Sequence, residues 1–156
     1  MLNIVRHLKL KKMKIDLKEA TLEDWKLLLD WRNDIATRKN SHNIDLVKEE
    51  DHKAWLCKVI KNSNRKLFIA YQNKKPVGTA RADYDELEKN YELSWTVAPN
   101  SRGKGIGKHM VKCLADVLKT KIRAEIKKGN TSSIRIAEYA GMNFKGKKGE
   151  VLYYSN

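Results

Sequence analysis

Val97-Ala98-Pro99-Asn100-Ser101-Arg102-Gly103-Lys104-Gly105-Ile106-Gly107-Lys108 is the stretch on which the fold turns. Before it, Leu93, Trp95 and Val97 alternate with Glu92, Ser94 and Thr96, the period of a strand with one buried face. After it, Ile106, Met110, Leu114 and Val117 recur at helical spacing, and Val111 and Leu118 widen the stripe. Pro99 ends the strand, and alternating glycines stand where the helix begins. A helix N-terminus leaves backbone N–H groups unpaired and carries partial positive charge. Glycine lets that backbone approach an anion closely. With Arg102, Lys104 and Lys108 adding formal charge, the segment reads as a phosphate cradle between a strand and a helix.

Spacing narrows the choice of phosphate. A mononucleotide P-loop needs GxxxxGK followed by Ser or Thr, but Lys108 is followed by His109. A dinucleotide fingerprint needs GxGxxG, but Lys108 stands where its third glycine belongs.

Outward from the cradle the chain alternates strand and helix signals. Lys14 to Lys18 reads as a short strand. Thr21 with Asp24 forms a capping box for a helix with Leu22, Trp25, Leu28 and Leu29 on its apolar face, ending near Asn33. The polar segment 36–43 reads as a loop, and a second helix runs over 47–61 with Trp55, Val59 and Ile60 as buried candidates. The apolar run Leu67 to Tyr71, the segment from Pro76 to Asp83 and the alternating Tyr91 to Val97 form a meander of strands. Beyond the long helix, 121–127 is a strand, 131–140 a helix stopped by Gly141, and 151–154 a final strand. The pattern predicts an α/β (α+β) fold, a sheet flanked by helices.

Composition limits the rest. The 156 residues suit one domain, 13–156, preceded by a basic extension or edge strand over 1–12. With no long apolar run and no signal-peptide core, the expected setting is cytoplasmic, away from membranes, as a monomer or homodimer. Cys57 and Cys113 lie far apart and read as core or near-core residues. The histidines lack metal-ligand spacing, so no metal is expected. The net charge of +14 suits a polyanionic cofactor or nucleotide-linked substrate, RNA, or simply a solvated lysine-rich surface. The basic clusters are not interleaved with aromatics at a regular repeat, which disfavours nucleic acid without excluding it.

Arg102-x-x-Gly105-x-Gly107 resembles the [QR]-x-x-G-x-[GA] motif of the GNAT acyl-CoA N-acyltransferases. Asn130-Thr131-Ser132-Ser133-Ile134, followed by Gly141-Met142, resembles the second motif of that family. The likeness spans roughly Lys14 to Tyr154. It implies a mixed sheet of about six or seven strands with about four helices, splayed after the strand ending at Val97. It implies acetyl-CoA as co-substrate, with its pyrophosphate on the turn Arg102, Gly103, Lys104, Gly105, Ile106, Gly107 and Lys108. It places the pantetheine arm beside Val97, Ala98, Asn130 and Ser133, and it implies direct attack by a primary amine in a ternary complex.

An alkyl ammonium, with a pKa of roughly 10, must lose a proton before it attacks. Glu92, on the strand leading into the cradle and opposite Leu93 and Trp95, is the candidate base; Asp83 and Asp85 are alternatives. Many family members carry an acidic tyrosine seven residues after the motif asparagine; here that position is Ala137. Tyr139 is the remaining candidate acid, though about 200° further round the helix. The segment with Trp31, Arg32, Arg38 and His52-x-x-Trp55 resembles the branch holding amino-sugar N-acetyltransferases, and more loosely the ribosomal-protein enzymes. The favoured acceptor is an amino sugar, free or nucleotide-linked, with Trp31, Arg32 and Arg38 as its contacts. A protein N-terminal or lysine acetyltransferase and a non-catalytic acyl-CoA or RNA-binding module are the alternatives.

Overall fold

The computed structural model describes residues 13–156; the expected extension or edge strand over 1–12 lies outside the described residues. Strand β1 (Asp16–Glu19) leads through a 3-10 turn (Leu22–Asp24) into helix α1 (Trp25–Asn33). The expected capping box is present, with the Thr21 backbone N–H donating to Asp24 Oδ2 at 2.7 Å. The loop expected over 36–43 contains a short helix, α2 (Ile35–Lys39). No apolar period announces it. Instead Asp34 caps it, its Oδ2 accepting from the Thr37 N–H at 3.1 Å. Helix α3 (Glu49–Lys61) opens with Glu49, Glu50 and Asp51, which suit the positive end of the helix dipole.

Strands β2 (Arg65–Gln72), β3 (Lys75–Asp85) and β4 (Asn90–Val97) form the meander. Asn73 and Lys74 both take positive φ, 50° and 65°, the geometry of a tight two-residue hairpin. Helix α4 (Ile106–Leu118), strand β5 (Ile122–Lys127), helix α5 (Thr131–Tyr139) and the hairpin β6 (Asn143–Lys148)–β7 (Val151–Ser155) complete the chain. The sheet order is β1-β2-β3-β4-β5-β7-β6, antiparallel except for the β4–β5 pair. The described residues therefore hold seven strands and five helices, one helix more than expected. Strand β6 escapes the hydropathy pattern because it is an exposed, lysine-bearing edge, a composition that resists edge-to-edge pairing.

Each sheet face carries its own core. Met110, Val111 and Leu114 of α4 pack with Ala80, Ala82, Leu93 and Ile122 on one face. Leu28 and Trp31 of α1 and Leu56 and Val59 of α3 pack with Leu67 and Ile69 on the other. Burial on both faces explains why β2 reads as an unbroken apolar run. Val117, Ile60 and Leu22, expected inside, are 64%, 40% and 53% exposed: Val117 and Ile60 stand in the last turn of their helices and Leu22 in the 3-10 turn before α1. Cys57 and Cys113 are half-buried free thiols. At Gly78 a Cβ would sit 2.8 Å from the Thr96 carbonyl oxygen and 3.0 Å from Met110 Sδ, so β3 and α4 meet too closely for a side chain.

Met110 is fully buried at this contact. Met110→Ala is expected to cost about 2–5 kcal/mol in denaturant unfolding, whereas Val117→Ala should fall within about 0.5 kcal/mol of the parent. Equal costs would place the core elsewhere.

Candidate active site

Strands β4 and β5 pair only at Tyr91–Ile122 and Glu92–Arg123. Beyond those rungs they diverge, and the β5-facing edge of β4 over 93–97 is left without sheet partners. A cleft of about 1050 Å³ occupies the gap. Its walls are β4 from Glu92 to Val97, β5 from Glu125 to Lys127, the turn, the first residues of α4, the start of α5, and the inner faces of α1 and α3.

The turn is built for an anion. Gly103 and Gly105 have φ of 73° and 77°, the left-handed region, and a Cβ on either would meet nothing within 4 Å. Glycine is there required by backbone conformation rather than by crowding. Gly107 differs: its Cβ would lie 2.5 Å from Ile136 Cδ1 and 3.1 Å from Val97 Cγ2, so it sets how closely α4 approaches α5 and β4. No side chain caps α4, which leaves the first N–H groups at Ile106, Gly107 and Lys108 open toward the cleft. Lys108 lines the cleft too, while Lys104 turns back to donate to the Asn100 carbonyl at 3.2 Å.

Arg102 does something the motif alone does not announce. Its Nη2 donates to Asp34 Oδ2 at 2.7 Å and to Thr37 Oγ1 at 3.0 Å, tying the turn to the cap of α2. Burial works against ionisation of Asp34, but the bonds from Arg102 and the Thr37 backbone outweigh it and hold the carboxyl below its ordinary range. Asn130 also acts locally. Its Oδ1 accepts from the Ser133 N–H at 3.2 Å and its Nδ2 donates to Ser133 Oγ at 3.1 Å, capping α5 at the cleft wall.

Glu92 faces the cleft as its strand position predicts. Its Oε2 accepts from Arg123 at 3.1 Å, and Arg123 also reaches Asp85 at 3.1 Å and Asn90 at 2.9 Å. Asp83 is held by Arg65 and Arg81, and neither Asp83 nor Asp85 lines the cleft, which removes both alternative bases. Tyr139 is a correction. It lies outside the cleft, 47% exposed, with its ring edge-on to His109 at 5.6 Å, because the two-residue offset from Ala137 turns it to the outer face of α5. Ala137 itself is fully buried.

Ala98 is a second correction. Its N–H is spent on the Val77 carbonyl at 2.8 Å, its carbonyl accepts from the Ser101 N–H, and the residue does not line the cleft. Val97 and Ser133 do. Trp31, 6% exposed, and Arg32 are at the cleft wall. Arg38 is not: it donates to the Asn33 and Ile44 carbonyls at 3.2 and 3.3 Å and braces the loop after α2. The cleft adds residues that the motifs passed over. Glu125 lines it with Oε2 3.1 Å from His42 Nε2; Lys127 donates to the Lys39 carbonyl at 3.0 Å. The alternation of β5, with Ile122, Ala124 and Ile126 buried, contains the signal for Arg123, Glu125 and Lys127 on the opposite row. Among the described residues, no group of three or more His, Cys, Asp or Glu is placed to hold a metal, and no helix is long and apolar enough to cross a membrane.

A parallel strand pair parts beside a glycine-rich helix N-terminus, an arrangement suited to an anionic group at its mouth. The chain belongs to the acetyltransferase (GNAT) family, whose model matches residues 25–142. That membership makes it an N-acetyltransferase. No curated protein sequence matches it. Among solved structures, an aminoglycoside acetyltransferase in complex with coenzyme A is 21% identical with a TM-score of 0.80, covering 92% of this chain and 94% of its own. A domain from Methanocaldococcus jannaschii is 26% identical with a TM-score of 0.80, covering 92% and 98%. Spermidine N-acetyltransferase from Vibrio cholerae, in complex with CoA and spermine, is 15% identical with a TM-score of 0.79, covering 91% and 94%.

The Asp34–Arg102 contact has a pH signature. A carboxyl whose folded pKa is depressed contributes stability above its unfolded value and loses it as pH falls through the folded value. Thermal melts of the parent and Asp34→Asn should therefore differ near neutral pH and converge as pH drops below 3.8, the ordinary value. A gap that persists unchanged at low pH would show that the contact contributes no charge-dependent stability.

Proposed function

We propose that the protein acetylates the primary amine of an amino sugar, free or nucleotide-linked, by direct attack in a ternary complex, with 13–156 acting as one catalytic unit. One observation carries the reading. A single cleft runs from the glycine turn, through the parted strands, to a chamber walled by Trp31, Trp55 and Arg32, so donor and acceptor can meet inside it. Flat aromatic surfaces with polar groups between them suit a sugar ring.

In this reading the open N–H groups at the start of α4 hold the pyrophosphate, with Gly103 and Gly105 permitting the approach. The arm lies along the unpaired edge of β4. Acetyl-CoA supplies the activated acetyl group. Glu92 takes the proton of the incoming ammonium, directly or through one water, while its bond to Arg123 fixes the carboxylate in place. The departing thiolate, with a parent thiol pKa of roughly 8.5, leaves without a dedicated acid and is protonated by water. Buried Ala137 and outward Tyr139 agree with that.

Thiol release from acetyl-CoA, measured across amino sugars, peptides and polyamines, is expected to be fastest with an amino sugar. A peptide or polyamine preferred throughout the panel would sink the acceptor assignment, and no release with any amine would sink turnover itself. Glu92→Gln should lower kcat by about a hundredfold or more, with CoA affinity within about twofold of the parent since the residue lies off the phosphate turn. Full activity in that variant would remove Glu92 from the mechanism.

A further inference from the structure

We propose that Arg32 and His52 form a subsite for an oxyanion carried by the acceptor, so that the acceptor is an amine bearing a carboxylate or a phosphate group. This deepens the acceptor reading above and rests on the acceptor entering beneath α1 and α3.

Three buried side-chain nitrogens have no hydrogen-bond partner among the described residues: Arg32 Nη1, His52 Nε2 and Trp95 Nε1. All three residues line the cleft. Buried polar atoms are nearly always satisfied, so unpaired ones on residues that line a cavity point to a partner supplied by what the cavity binds. Trp95 belongs to the β4 row that faces α4 and sits at the parted strands. Arg32 and His52 belong together on the α1–α3 wall, and His52 is only 4% exposed.

Charge separates an oxyanion from a neutral partner. Arg32 spends Nη2 on the Asn43 carbonyl at 2.8 Å, while Nη1 stays bare. Its guanidinium is pushed down first by burial and then by the neighbouring Arg38, and no carboxylate offsets either. His52 is held toward the neutral form by burial, opposed by a bond to the Trp25 backbone, and pushed down further by Arg32. The other charged groups at this wall are committed or exposed. Arg38 braces its loop, Arg81 pairs with Asp83 over the Trp55 ring, Glu92 holds Arg123, and Glu125 meets His42. Asp51 lies at the exposed rim.

A neutral sugar hydroxyl would leave the Arg32 charge uncompensated, and a polycation would be repelled by it. An oxyanion accepts from Nη1 and favours protonated His52, whose Nε2–H then donates to it. Binding accordingly takes up to one proton from solvent, and affinity for an anionic acceptor rises as pH falls through the His52 titration.

The test uses the CoA-saturated protein, so that the phosphate turn is already filled. The His52 imidazole is titrated by NMR without added anion, with acetate and with inorganic phosphate, each up to about 100 mM, enough to reveal millimolar binding. At least one anion should move the midpoint upward, the pair telling carboxylate from phosphate, and Arg32→Gln should abolish the movement while binding CoA normally. A midpoint unmoved by either anion in the parent overturns the subsite, even if Arg32→Gln fails to fold.

Kinetics on glucosamine, its 6-phosphate, a carboxylate-bearing amine and spermidine supply the second arm. Arg32→Gln should lower kcat/KM for the anionic acceptors by about tenfold or more beyond any loss it causes with glucosamine or spermidine. If only a non-sugar carboxylate-bearing amine is used, with that dependence, the subsite stands and the amino-sugar reading falls. If glucosamine is used best and Arg32→Gln affects every acceptor equally, the amino-sugar reading stands and the subsite falls.

Discussion

Two rungs join β4 to β5, and then the strands part. A parallel pair that continued would satisfy its own backbone and leave no room between its strands. Parting them leaves the edge of β4 without sheet partners, a cost that an extended ligand can offset by lying along it. The parting depends on what stands behind it. Gly107 lets α4 close on Ile136 of α5 and Val97 of β4, and Arg123 anchors the last rung through Asn90, Asp85 and Glu92. The hinge of the gap and the candidate base are thus the same rung. Glu92 is positioned by the residue that marks where pairing stops.

The phosphate turn and the acceptor wall are mechanically connected. Arg102 reaches across the cleft mouth to Asp34 and Thr37, the cap of α2, and Lys127 and Glu125 reach the carbonyls and His42 of the following loop. The 34–42 segment is therefore held from the glycine turn on one side and from β5 on the other. A short polar helix has little intrinsic stability, and α2 exists because these contacts and its cap hold it. Arg102 thus joins the turn to α2 through one ion pair.

Most of the sheet was legible because strong periodicity and punctuation coincide there: β2 reads as a two-sided apolar run, β4 as clean alternation, and the glycine turn as the entry to α4. Helix α2 and strand β6 were not, since one depends on a capping contact and the other is a lysine-rich edge. In the site, position on a strand located Glu92, and the same alternation on β5 would have located Glu125. Arg38, Ala98 and Tyr139 were misplaced for a different reason. What decides them is a hydrogen bond or a helix face: the Ile44 carbonyl for Arg38, the Val77 carbonyl for Ala98, the outer face of α5 for Tyr139. Residue type and spacing carry no record of such bonds.

The net charge of +14 overstates how much free positive charge the cleft offers. Arg81 and Arg123 are neutralised by carboxylates, Arg102 by Asp34, and Lys127 is bound to backbone carbonyls. What remains unspent is local: the open N–H groups of α4 with Lys108, exposed Arg135 of α5, and Arg32 on the opposite wall. Because a paired guanidinium contributes little net field to a ligand, recognition at each end rests on these few groups rather than on the basic surface as a whole. The lysines elsewhere act at long range, raising the encounter rate of a polyanionic ligand, and in the proposed reading selection of the acceptor falls to the half-buried Arg32 and its buried neighbour His52.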